Sequence, residues 1–82
     1  MSRLQTEADR LRVKVMPDIG EIIKYIRTKK GYTQRDVEAW SGVDHKTISR
    51  IERTGRGTIT NIEKILRALG YELEVVPING RD

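Results

Sequence analysis

Residues 33–52, TQRDVEAWSGVDHKTISRIE, read as two short helices broken by a tight turn. Asp44 is an N-cap residue for the second helix, its side chain offering an acceptor to the free N–H groups of the first turn. Val43 and Ile48 stand at the N′ and N4 positions of that helix, the spacing of a hydrophobic staple. At about 100° per residue, Ile48 and Ile51 share one side. His45, Lys46, Ser49, Arg50 and Arg53 fall within an arc of roughly 140° on the other side. An ordinary surface helix with a solvated basic face gives the same pattern, so this helix alone decides nothing. The residues before it do.

The preceding helix starts at Thr33, with Asp36 three residues on as its capping-box partner. Val37, Ala39 and Trp40 are its apolar positions. Trp40 is expected in the core, since its spacing argues against the exposed ring that a stacking role requires. Gly42 sits where a left-handed residue ends one helix and lets the chain change direction. Gly42 to Asp44 is then a three-residue turn containing a glycine, as in a helix-turn-helix unit. In such a unit the second helix enters the DNA major groove.

On these residues the segment from about Ile19 to Leu69 resembles the Cro/repressor (XRE-type) helix-turn-helix family. The matching residues are Gln34 after Thr33, Gly42-Val43, Ile48-Ser49-Arg50-Ile51-Glu52 and the closing Ala68-Leu69-Gly70. The resemblance implies a mainly α, four-to-five-helix repressor-like domain. It implies that His45, Lys46 and Arg50 read base edges, with Ser49 among them, and that Gln34 and Arg53 hold phosphates. Thr33, Thr47 and Arg56 join the expected phosphate set. It further implies an ion pair between Arg27 and Glu52 that clamps the first helix to the recognition helix. Many relatives have serine at the recognition-helix cap and end it with Glu-Asn-Gly. Here the cap is Asp44 and the ending is Arg53-Thr54-Gly55-Arg56-Gly57, a more basic loop.

Composition agrees. Sixteen Lys and Arg against twelve Asp and Glu give a net charge of +4, and the pI is near 9.7, which favours a polyanionic partner. Distribution says more than the total: Lys46, Arg50, Arg53 and Arg56 face one acid, Glu52, between residues 45 and 56. A chain of 82 residues buries about 60–65% of its unfolded surface, enough for helices around one core. With no cysteine and one histidine, neither a disulfide framework nor a metal site is expected, and no cofactor is implied. No apolar run approaches the roughly 18 residues of a membrane span, and no signal-peptide core is present. A cytoplasmic location is expected. An enzyme is not, because Asp18, Glu21, Asp36 and Glu63 are accounted for as helix-start residues and the hydroxyls lack a histidine base.

Two more helices are legible. Asp18 with Glu21 forms a capping box, after which Ile19, Ile22, Ile23 and Ile26 repeat at i, i+3, i+4, i+7 until Gly31. Thr60 with Glu63 repeats the device, followed by Ile62, Ile65, Leu66 and Leu69 up to Gly70. The organisation expected is an arm over residues 1–17, a helix-turn-helix domain over 18–70 and a tail over 71–82.

In the tail, Tyr71, Leu73 and Val75 alternate with Glu72 and Glu74, which predicts one short strand. An isolated strand is not stable. One mate is the same strand of a second copy, giving a two-fold ribbon through Tyr71, Leu73 and Val75. The other is Arg10–Val15, whose alternation fits a strand, although Leu4, Ala8, Leu11 and Val15 equally fit a helical stripe. A ribbon built by both chains of a homodimer is expected, and it would join two recognition helices. The strand after Ala68-Leu69-Gly70 also resembles that of HipB-type antitoxins, which implies autorepression and a protein toxin as partner. Two functions therefore compete: a sequence-specific repressor on double-stranded DNA, and an interaction module that neutralises a toxin or other partner with the helix-turn-helix as scaffold. A pure scaffold has no reason to keep Lys46, Arg50 and Arg53 on one side.

Overall fold

Asp18 opens the first described helix by accepting the Glu21 backbone N–H at 2.9 Å, a charge-assisted cap at the positive end of the helix dipole. The structure is a computed structural model that describes residues 18–75 together with residues 77 and 78. The arm over residues 1–17, including the Arg10–Val15 segment, lies outside the described residues.

Helix α1 spans Ile19–Lys29. Helix α2, Gln34–Ser41, starts with both halves of the capping box: Asp36 N–H donates to Thr33 Oγ1 at 3.0 Å, and Thr33 N–H donates to Asp36 Oδ2 at 2.8 Å. Gly42 ends α2 in the left-handed conformation, φ 78° and ψ 6°, which costs glycine no Cβ clash. Helix α3, His45–Thr54, follows immediately, with the Asp44 side chain accepting the Lys46 N–H at 3.0 Å. Helix α4 spans Ile59–Ala68.

The start of α4 differs from the sequence expectation. Its cap is Thr58, which accepts the Asn61 N–H at 3.1 Å, not Thr60. Asn61 has no carboxylate to complete a capping box, so the spacing signal pointed to the Thr60–Glu63 pair instead. The apolar face is unaffected: Ile62, Ile65, Leu66 and Leu69 are all buried.

These four residues meet Ile23, Val37, Val43, Ile48 and Ile51 in one core. Helix α3 lies against both α1 and α2, and α4 closes on α2. Val43 and Ile48, the staple pair, are both in it. Gly20 sets the α1–α3 approach. A Cβ there would run into the Ile51 carbonyl oxygen and come within 3.0 Å of the Glu52 oxygen and 3.1 Å of the Gly55 nitrogen. The two backbones touch.

Trp40 is not in the core. It is 54% exposed and stands edge-on to Tyr32, with ring centroids 4.7 Å apart and planes at 76°, a favourable aromatic geometry. On a helix this short Val37 occupies the inward position, and Trp40, about 60° round the helix from it, lands on the flank. Ile22 likewise sits at the outer edge of the α1 stripe and is 38% exposed, while Ile23 is fully buried.

Among the described residues there is no strand. The chain leaves α4 through Gly70, with Tyr71 N–H donating to the Leu66 carbonyl at 2.8 Å, and residues 71–75 form no ladder with another described segment. Among the described residues no helix is long and apolar enough to cross a membrane.

Candidate nucleic-acid interface

Because Ile48 and Ile51 are fully buried, the opposite side of α3 is forced outward by the helical period alone. Lys46, Arg50 and Arg53 are exposed there, and Arg56 is exposed in the loop that follows. None of these four has an ion-pair partner among the described residues. Ser49 and Thr47 are half-buried on the flanks of the same helix. The loop after α3 is held by short-range bonds: Thr54 Oγ1 donates to the Arg50 carbonyl at 2.7 Å, and Arg56 N–H donates back to Thr54 Oγ1 at 3.1 Å.

Behind this face the structure brings Arg27 and Glu52 together. The guanidinium is bidentate, Nε to Oε2 at 2.6 Å and Nη2 to Oε1 at 2.9 Å, the geometry in which arginine and carboxylate interact most strongly. Arg27 Nη1 also donates to the Tyr32 carbonyl at 2.8 Å. One guanidinium therefore ties α1, the α1–α2 loop and α3 together. Gln34, the first residue of α2, donates Nε2 to the same carboxylate at 3.1 Å. Glu52 is the buried charged residue of the described core, and its carboxylate is fully engaged. No described side-chain polar atom is buried without a partner. An amide nitrogen carries two N–H donors, so Gln34 keeps one for a ligand at the surface. Thr33 uses one hydroxyl lone pair on the α2 cap and retains its O–H as a donor.

His45 is placed apart from the exposed cations. Its backbone N–H donates to Glu38 Oε2 at 3.0 Å, and its Nδ1 lies 3.2 Å from both Glu38 Oε2 and Asp44 Oδ1. The imidazole is turned back towards α2. Accepting the His45 backbone N–H, and then its side chain, holds the Glu38 carboxyl below its ordinary 4.5. Asp44 is held below its ordinary 3.8, chiefly by accepting the Lys46 backbone N–H and secondarily by the charges of His45 and Lys46. Glu38, Asp44 and His45 have ligand-type atoms within 4.8 Å of one another, and the hydrogen bonds just described account for that grouping. Glu38 carries no sequence signal for this role, because it is seven residues from His45 and across a turn. Lys24 and Gly20 likewise carry no motif that marks them in the sequence. Lys24 is one helical turn before Arg27, a spacing that places both on one side of α1.

The helix-turn-helix family profile matches residues 23–76. Among solved structures, the restriction-modification controller protein C.Esp1396I is 40% identical over 66% of this chain and 72% of its own, with a TM-score of 0.60. A mutant of that protein gives the same identity and TM-score over 71% of its length. A toxin–antitoxin module from Streptococcus pneumoniae is 32% identical over 95% of this chain and 83% of that one, also with a TM-score of 0.60. No curated protein matches the chain. A profile match over well over half of the residues, on a fold whose glycine-bent corner presents a cationic helix, makes this chain a member of the Cro/repressor (XRE-type) helix-turn-helix family and a DNA-binding regulator.

Proposed function

We propose that the protein is a sequence-specific repressor that binds a palindromic operator as a homodimer, with α3 in the major groove. The observation that carries this is the contrast within α3: one side fully buried, the other bearing Lys46, Arg50 and Arg53 exposed and without ion-pair partners among the described residues. Lys46, Ser49 and Arg50 read base edges, with His45 at the margin of that set. Thr33, Gln34, Thr47, Arg53 and Arg56 hold phosphates. Tyr71, Leu73 and Val75, all exposed in the single chain, form the dimer contact that sets two recognition helices about 34 Å apart, one turn of DNA.

Selection of bound duplexes from a random pool tests the reading. A two-fold symmetric consensus is expected, and enrichment of no sequence would refute it. On the selected site, Arg50→Ala or Lys46→Ala should cost about 1–3 kcal/mol and relax preference at one base pair. Arg53→Ala should instead weaken all duplexes alike and lower the salt slope by about one. Equal losses for Arg50→Ala on selected and random DNA would remove Arg50 from the reading set.

A second reading, an autoregulating antitoxin, is favoured by the likeness to a toxin–antitoxin module that extends over 95% of this chain. It requires a protein toxin bound through a surface other than α3. A toxin complex that persists in Arg50→Ala supports it, and one abolished by that substitution counts against it.

A further inference from the structure

We infer that Lys24, on α1 and outside the two-helix unit, holds a backbone phosphate of the bound duplex together with Arg53. The inference rests on the DNA-binding reading above and adds to it a site shared by the first and third helices.

Lys24, Arg27, Gln34, Ser49, Glu52 and Arg53 line one open cleft of about 330 Å³. That leaves room for a phosphate group and several waters, each water occupying about 30 Å³ in the liquid. Ser49 and Arg53 belong to the outward side of α3, so the cleft opens beside the recognition face. Its floor is already neutral, because Glu52 is bound bidentately by Arg27. The floor is also largely buried, the Glu52 and Arg27 side chains being only 4% and 12% exposed. Three of the five guanidinium N–H groups of Arg27 are engaged, Nε and Nη2 with Glu52 and Nη1 with the Tyr32 carbonyl, and its charge is balanced by Glu52.

The remaining cations are Lys24 on one wall and Arg53 on the other. Both are exposed, and neither pairs with an acid among the described residues. Ser49, with a hydroxyl, and Gln34, with one amide N–H left over from its bond to Glu52, line the same cleft. Two cations and two neutral donors over a neutralised floor suit a singly charged phosphodiester oxygen. The opposite side of α1 offers a matched control. There Lys29 donates to the Tyr25 hydroxyl at 3.2 Å and lies 5.5 Å from the Tyr25 ring centroid, away from the cleft.

The test compares the full chain with Lys24→Gln and Lys29→Gln on the selected operator and on random duplex across a salt series. Lys24→Gln should lower affinity for both duplexes by the same factor and make the log–log salt slope shallower by about 0.9, the value of one phosphate contact. Lys29→Gln should leave the slope unchanged. Wild-type slope in Lys24→Gln, or the same change in both variants, overturns the inference while leaving the repressor reading intact. If the unmodified protein binds no duplex, the repressor reading falls and this one with it. Inorganic phosphate serves as the free-ion probe: resonance shifts at Lys24, Ser49 and Arg53 with phosphate but not with duplex would assign a free-anion site and overturn the DNA assignment.

Discussion

Glu52 shows how one side chain can be both a liability and a clamp. A carboxylate this deeply buried is costly unless its partners are complete, and here three nitrogens from Arg27 and Gln34 complete it. Removing either charge should destabilise the fold by about 3–5 kcal/mol, because it strands the other charge. Urea unfolding of Glu52→Ala and Arg27→Ala checks this, and the midpoint should fall at unchanged slope. A double replacement by apolar residues of similar volume should cost less than either single change. The pair at the start of α3 makes a pH prediction. Glu38 and Asp44 bind protons less readily folded than unfolded, since both are held below their ordinary values. Their contribution is present above those ordinary values and is lost as pH falls through the lowered ones. Stability should therefore decline below about pH 4.5, where Glu38 begins to titrate when unfolded. Glu38→Gln should flatten that part of the acid limb, and an unchanged limb would show that the contact contributes nothing.

Between elements, the distance from α1 to α3 is set by the absence of a side chain at Gly20. Gly20→Ala improves helix propensity by about 1 kcal/mol, yet it drives a methyl group into the Ile51 carbonyl. Overpacking of this kind costs about 1–3 kcal/mol or more, and against backbone atoms it should prevail. A lowered thermal midpoint is the expected result, together with weaker duplex binding, because tilting α3 moves Lys46 and Arg50. The cap of α4 gives a sharper comparison. Thr58→Ala removes the bond to the Asn61 N–H and should cost about 1 kcal/mol. Thr60→Ala, at the second residue of the helix on an exposed position, should change stability by less than about 0.5 kcal/mol. The reverse order would place the helix start where the spacing alone suggested.

For the molecule as a whole, the proposed homodimer rests on the segment after α4. Tyr71, Leu73 and Val75 leave apolar surface open in one chain, and isolated strands gain nothing from extending alone. Deleting residues 71–82 should yield monomers in sedimentation and bind a single half-site. A truncated protein that stays dimeric would refute pairing through this segment. By itself the sequence determined the four described helices, the glycine corner and the cationic side of α3. Each depends on spacing within a few residues, through caps, a left-handed glycine and the 3.6-residue period. Only the tertiary structure decided that Trp40 lies outside the core, that Glu38 engages His45, that Gly20 abuts Ile51, and that Lys24 faces Arg53 across a cleft. Those relations join residues on different helices, and the local period says which side chains share a face but not which face another helix will cover.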